Sequence, residues 1–163
     1  MSFYTDVIAK SPKFNSVKRI DDLELLEPTT RAAVEAIVAG AKQTYGVDLM
    51  VYETFRSQAR QTALFNQHAS QLKVVGVHHF GLACDLVKKV GGSPSWKGDF
   101  SFLGALGRAH GMIWGGDWGH PSPPTHGFVD DDHVQRCAVP RQHALFTQAW
   151  YPDAGYDPYK DQG

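Results

Sequence analysis

The sequence predicts an α+β fold in a single domain, with helices packed against a small, mainly antiparallel sheet. Three observations lead to this prediction. The chain has 163 residues, which suits one domain of ordinary size. Hydrophobic residues make up 42% of the chain and charged residues 20%, as expected of a globular domain with a buried core. Helical and strand-like segments follow one another without the strict alternation that is typical of a parallel sheet.

The first half of the chain contains two predicted helices with a strand between them. A helix is expected over residues 30–45, because apolar side chains recur at helical spacing and Gly46 can end it. Residues 48–55 have the apolar and β-branched character of a strand. Ser57 can cap a second helix that extends to about residue 69.

The second half of the chain contains short strands, two helices and long loops. A strand is expected over residues 82–90, followed by a turn-rich loop over 91–99. A third helix begins at Asp99 or Ser101 and ends at Gly111, and residues 112–114 form a short strand. Residues 115–127 are rich in glycine and proline and predict a long irregular loop. Residues 132–137 read as another strand, and Pro140 begins a last helix.

These elements divide the chain into three parts. Residues 1–28 are expected to be a loosely structured lead-in with one short apolar turn at 23–26. Residues 29–151 form the domain, and residues 152–163 are expected to be a frayed tail.

Composition excludes several classes of protein. The net charge is −1 and no basic stripe is present, so a nucleic-acid partner is not expected. The sequence lacks an apolar run of the roughly 18 residues that a membrane span requires. Cys84 and Cys137 are too few for a disulfide framework and are expected to be buried free thiols. The first residues do not have the pattern of a signal peptide, so synthesis in the cytoplasm is expected.

A candidate metal site begins with His78 and Asp85. His78 stands in a loop just before a strand, and Asp85 shares one face of that strand with Ala83 and Val87. A carboxylate on such a small and apolar face is costly unless a partner neutralises it. A metal ion is one such partner, since imidazole and carboxylate are both good zinc ligands. His79 is an alternative ligand to His78.

A third ligand is available in the acidic segment that precedes a later strand. His133 follows three aspartates, and Asp130 lies three residues upstream of it, across a turn. Three protein ligands with one water molecule is the pattern of a catalytic zinc site, in which a carboxylate then takes the proton of the water. Arg56 stands at a strand-to-helix junction and can stabilise an oxyanion or bind a substrate carboxylate. Each of these pieces also occurs by chance in many domains.

Taken together and in this order, the pieces resemble the LAS-type zinc peptidases. The family pattern Ser-x-His-x-x-Gly-x-Ala-x-Asp is followed later by Asp/Glu-x-x-His. The corresponding segments of this chain are residues 76–85, GVHHFGLACD, and residues 130–133, DDDH. The segment that begins Phe55-Arg56-Ser57 looks like the family's arginine-bearing junction, and residues 114–118, WGGDW, look like its tryptophan-rich loop. The resemblance covers roughly residues 25–135.

The resemblance implies a role for each matched residue. His78, Asp85 and His133 would bind Zn²⁺, Asp130 would be the catalytic base and Arg56 the electrostatic stabiliser. The sequence departs from the family pattern in two places. Gly76 replaces the usual serine, and Asp131-Asp132 occupies positions where prolines or apolar residues are common. The extra negative charge leaves Asp131 as an alternative base.

The function implied by the resemblance is zinc-dependent hydrolysis of a peptide bond in the stem peptide of bacterial peptidoglycan. The L-alanyl-D-glutamate bond is expected, as in phage endolysins. A D,D-carboxypeptidase that releases terminal D-alanine is the first alternative, and a catalytically silent phage structural or binding module is the second. The expected protein is a monomer that reaches the wall after release, either by holin-type export or as part of a phage particle.

Overall fold

The computed structural model describes residues 1–70, 72–119 and 128–161. It contains one five-stranded sheet, whose strands are β1 (Leu49–Glu53), β2 (Ala83–Val90), β3 (Ser93–Ser95), β4 (Ile113–Trp114) and β5 (His133–Gln135). The strand order is β1-β2-β5-β4, and β3 forms a hairpin with the far end of β2. All of these pairings are antiparallel, so the α+β prediction is confirmed.

The described residues form five α-helices, and four of them begin within two residues of a predicted start. The helices are α1 (Phe3–Asp6), α2 (Pro28–Tyr45), α3 (Gln58–Asn66), α4 (Phe102–His110) and α5 (Gln142–Phe146). The long helix α2 is capped by the side chain of Glu27 and ends at Gly46, which has a φ of 67°. Ser57 caps α3 by accepting a hydrogen bond from the backbone N–H of Arg60.

The main core lies between α2, α4 and one face of the sheet. Strand β2 contributes Cys84 and Leu86 to this core, while Asp85 projects to the opposite face, as the period of two requires. Both cysteines are buried free thiols, as predicted. The face of the sheet away from α2 and α4 is therefore the one that carries the candidate site.

The lead-in is packed more closely than the sequence predicts. Tyr4 and Ile8 are buried in a second core cluster together with Leu25 and Leu82. Gly81 makes this packing possible: its φ is 73°, and a Cβ atom there would lie 2.8 Å from the backbone oxygen of Leu25. The sequence does not reveal this packing, because these apolar residues are too irregularly spaced to show a period.

The tail is held against the domain over its described part, residues 152–161. The hydroxyl of Tyr159 donates to the carbonyl of Met112 at 2.9 Å, and the hydroxyl of Tyr156 accepts from the N–H of Ala138 at 3.0 Å. Arg141 forms a two-bonded ion pair with Asp161, at 2.9 Å. These contacts join the described part of the tail to the residue before strand β4 and to the segment after β5. None of the helices in the described part of the chain has both the length and the apolar character needed to span a bilayer.

Candidate metal centre

The three predicted ligands meet at one point of the sheet. Asp85 on β2 lies directly opposite His133 on β5 in the strand register, and His78 comes from the 3-10 helix Val77–Phe80. Asp85 Oδ1 is 3.2 Å from His78 Nε2 and 3.3 Å from His133 Nδ1. One donor atom from each residue lies within 4.8 Å of the others, and all three residues are buried. This arrangement can hold a divalent metal ion.

Each of the two imidazoles uses one ring nitrogen in a hydrogen bond to the protein, which leaves its other nitrogen available to bind a metal. His78 Nδ1 lies 2.8 Å from the carbonyl oxygen of Thr54, which can only accept, so Nδ1 carries the proton. The amide group of Gln135 donates to the carbonyl of Cys137, and its Oε1 atom therefore accepts from His133 Nε2 at 2.8 Å. His78 Nε2 and His133 Nδ1 remain as ligand atoms, oriented by their partners.

The electrostatic environment of the centre favours a cation. Burial alone would raise the pKa of Asp85, but the imidazoles of His78 and His133 outweigh it and hold this pKa well below its usual range. Burial lowers the pKa of His133, but its hydrogen bond to the Asp85 carboxylate and the charge of Asp130 raise this pKa to about 9. A site that stabilises a proton on a buried imidazole will also stabilise a metal cation, which competes with that proton.

Asp130 lies at the edge of the centre, and Asp131 does not. Asp130 Oδ2 is 4.0 Å from His133 Nδ1, and its side chain is 39% exposed, so it can reach a substrate. The backbone N–H of Asp130 donates to the carbonyl of Gly115 at 3.0 Å. Asp131 is exposed and is absent from the lining of the adjoining cleft. Of the two candidate bases, the geometry favours Asp130.

Asp132 was noted in the sequence only as a departure from the family pattern, yet it lines the cleft. Carboxylate oxygens of Asp85, Asp130 and Asp132 lie within 4.8 Å of one another. Burial and the charges of Asp85 and Asp130 raise the pKa of Asp132 to about 8. The indole N–H of Trp96 donates to Asp132 Oδ2 at 2.9 Å. The acidic run was the only sequence signal for this residue.

Arg56 is fixed beside the centre by a buried carboxylate. Its Nε atom donates to Glu53 Oε1 at 3.1 Å, and its Nη2 atom lies 3.3 Å from Asp85 Oδ2. Glu53 also accepts a hydrogen bond from Arg60 at 3.1 Å, and Gln61 accepts one from Arg56 at 3.3 Å. Sequence reasoning missed Glu53, because it stands in no recognisable motif.

His79, the alternative ligand, points away from the centre. Its Nε2 atom is bonded to the hydroxyl of Tyr4 at 3.0 Å and its Nδ1 atom to the carbonyl of Arg56 at 3.1 Å. The ring packs among aromatic side chains of the second core cluster, and burial lowers its pKa. The positions of the other histidines differ: His68 lines the cleft, His110 and His143 are exposed, and His120 and His126 lie outside the described residues.

The centre opens into a cleft of about 870 Å³. Helix α3 and the segment after it form an apolar wall, lined by Leu64, Leu72 and Val75. Trp118 and Phe128 also line the cleft, and the ring centroid of Trp118 is 5.1 Å from that of His133. The cleft thus combines apolar walls with a charged centre, and its size suits a short peptide.

Comparisons with known proteins agree with this architecture. No protein-family model matches the chain. An L-alanyl-D-glutamate peptidase from Listeria phage A118 is 30% identical over 122 residues, which are 72% of this chain and 40% of that protein. The chain thus spans about two fifths of the length of this relative.

Solved structures share the fold. An L-Ala D-Glu endopeptidase from Serratia marcescens has a TM-score of 0.54 at 23% identity, covering 74% of this chain and 90% of its own. The vancomycin resistance D,D-pentapeptidase VanY, solved in complex with Zn(II), has a TM-score of 0.50 at 13% identity, covering 76% and 79%. By its motif order, its similarity to the phage peptidase and its fold, this chain is a relative of the LAS-type peptidases.

Proposed function

We propose that this chain is a zinc-dependent peptidase that hydrolyses the L-alanyl-D-glutamate bond in the stem peptide of bacterial peptidoglycan. The observation that carries the proposal is the convergence of His78, Asp85 and His133 in a cleft that also contains Asp130 and Arg56. The choice of bond is supported by the phage relative, which is named for the same specificity.

The ligand set fits zinc. Two neutral imidazoles and one carboxylate are a common protein contribution to a catalytic zinc site, and the cleft leaves one side of the centre open. When bound, a zinc ion lowers the pKa of a water molecule towards about 7 and polarises a carbonyl group. Thr54 and Gln135 orient the two imidazoles for this purpose.

Two further side chains would act on the substrate itself. The Asp130 carboxylate accepts a proton from the attacking water and later returns it to the leaving amine. The Arg56 guanidinium, held by Glu53, stabilises the negative charge that develops on the oxygen of the scissile carbonyl. Both groups lie beside the centre, since each approaches Asp85.

The proposed partner is the wall peptide alone, and the protein is proposed to act as a monomer. Its site of action is the cell wall, reached after synthesis in the cytoplasm through a holin-type route or in a phage particle.

The test is digestion of purified Gram-negative peptidoglycan, followed by mass spectrometry of the released peptides. New N-terminal D-glutamate is expected, and a chelator should abolish its release. Release of D-alanine instead would identify a carboxypeptidase, and no release by the zinc-loaded protein would favour a silent module.

Variants separate the proposed roles. His78→Ala should lose both zinc and activity, whereas Asp130→Asn should retain zinc and lose about 100-fold or more in kcat. Asp131→Asn is the matched control, because Asp131 carries the same charge one residue away but is exposed. Equal losses in the two aspartate variants would refute the assignment of Asp130 as the base.

A further inference from the structure

Trp96 contacts the candidate site from outside the cleft. It follows strand β3 and is absent from the cleft lining, but its indole N–H donates to Asp132 Oδ2 at 2.9 Å across 36 residues of sequence. Asp132 does line the cleft, beside Asp130. Trp96, which lies outside the cleft, therefore forms a hydrogen bond with a carboxylate that lines the cleft.

Trp96 is itself fixed, although half of it is exposed. Its ring packs edge-on against Tyr52 with centroids 4.9 Å apart, and the guanidinium carbon of Arg19 lies 4.4 Å from the centroid of the Tyr52 ring. The side chain of Trp96 is exposed to 49%, so little of its position is explained by core burial. Its hydrogen bond to Asp132 is the specific polar contact at this position.

The backbone of the acidic turn is anchored independently of Trp96. The carbonyl of Asp132 accepts from the N–H of Leu86 at 2.8 Å, and the carbonyl of Asp131 accepts from the indole of Trp114 at 2.6 Å. Anchoring the backbone does not fix the carboxylate of Asp130, which is partly exposed. The Asp132 side chain is its neighbour in the cleft, and one carboxylate oxygen of each residue lies within 4.8 Å of the other.

We propose that Trp96 and Asp132 are positioning residues: the indole N–H fixes the Asp132 carboxylate, which in turn keeps Asp130 directed at the metal ligands. Asp132 stands where prolines or apolar residues are common among the LAS-type peptidases, so the acceptor of this hydrogen bond departs from the family pattern. The kinetic part of the inference rests on the proposed role of Asp130 as the base.

A first experiment tests the hydrogen bond without any activity measurement. The chain has four tryptophans and thus four indole N–H signals in an ¹⁵N–¹H NMR spectrum. Trp96→Phe identifies the Trp96 signal by its disappearance, and Asp132→Ala should shift that same signal upfield. An unchanged Trp96 signal in Asp132→Ala would overturn the inference, whether or not the protein cleaves peptidoglycan.

A second experiment tests positioning through a double-mutant cycle. Trp96→Phe should lower kcat about tenfold, within the range seen when supporting residues of a site are removed, and leave KM and zinc content unchanged. In the Asp132→Ala background, Trp96→Phe should have no further effect, because its partner is already absent. Asp132→Asn, which keeps an acceptor oxygen, should restore the response to Trp96→Phe.

The control variant is Trp150→Phe, at a tryptophan that packs against Tyr156 away from the cleft. It should not alter kcat. Additive losses in the cycle, or a rise in KM with kcat unchanged, would overturn the positioning role and make Trp96 a substrate contact. Absence of cleavage by the zinc-loaded wild-type protein would overturn the proposed function instead, and the NMR result would remain valid.

Discussion

Replacing Gly115 by alanine should move the proposed base without touching the metal ligands. Gly115 is buried at the start of a 3-10 helix, and its carbonyl accepts the backbone N–H of Asp130 at 3.0 Å. A Cβ atom on Gly115 would lie less than 3.0 Å from the Asp130 carbonyl oxygen and 3.1 Å from Asp130 Cβ. Both contacts involve the residue that would act as the base, so that residue must shift.

The distance by which Asp130 must move determines the expected loss in kcat. Relieving the contact requires a movement of roughly half an ångström, and since a misplacement of about 1 Å can cost about 100-fold in rate, about a tenfold loss in kcat is expected. The overpacking should also cost about 1–3 kcal/mol of stability. Zinc binding should persist, because the ligand atoms come from other elements.

Steady-state hydrolysis of a purified stem peptide measures this effect, with zinc content and the melting temperature recorded in parallel. Gly155→Ala is the matched control, since a Cβ atom there meets its nearest neighbour, Asp153, at an ordinary 3.6 Å. A folded, zinc-loaded Gly115→Ala protein with the wild-type kcat would refute the reasoning. It would mean that the placement of Asp130 does not limit turnover.

Three further perturbations address the supports of the site and of the fold. Glu53→Gln should lower kcat/KM roughly tenfold while zinc is retained, because Arg56 loses its charged partner. This loss is smaller than the cost of deleting an oxyanion donor outright. Wild-type kinetics in this variant would contradict the prediction. Arg136→Met should cost about 3–5 kcal/mol in urea unfolding, since it leaves the Glu27 carboxylate buried without the guanidinium 2.8 Å away; a neutral result would contradict this. The pKa of Asp132 is raised from 3.8 to about 8, so the folded metal-free protein binds more protons than the unfolded chain and loses stability as pH rises through that window. Asp132→Asn removes this pH-dependent loss of stability. The melting temperature of the variant should therefore rise relative to that of the wild type between about pH 5 and about pH 8. A difference in melting temperature that stays constant with pH would argue against the raised pKa.

Much of the fold could be predicted because its signals are local. Helix α2 has a helical apolar period with a capping residue at one end and Gly46 at the other, and strand β2 has a period of two that separates Cys84 from Asp85. The lead-in and the tail could not be predicted in the same way. Irregularly spaced apolar residues of the lead-in pack into the second core cluster, and the tail is held by contacts with distant residues, such as the hydrogen bond from the Tyr159 hydroxyl to the carbonyl of Met112. Neither kind of contact leaves a period in the sequence.

The same distinction applies to the site. His78, Asp85 and His133 were accessible from the sequence because their spacing resembles a family pattern, and the structure brings all three together. Glu53 and Trp96 were not accessible from the sequence, because each contacts the site through a partner whose position depends on tertiary structure. Asp85 pairs with both Glu53 and His133 in the sheet register, so the supporting carboxylate follows from strand pairing rather than from a motif.

The two halves of the site are built with different rigidity, and this has a consequence for how substitutions will act. Asp85 and His133 are paired across two strands, where a slip of one residue would turn either side chain to the other face and is therefore strongly opposed by the buried core. Asp130 instead stands on a turn, and its placement depends on contacts with Gly115 and Asp132. Substitutions around the turn should therefore reduce turnover while zinc affinity is still intact, whereas substitutions in the strands that reduce zinc affinity should also reduce stability.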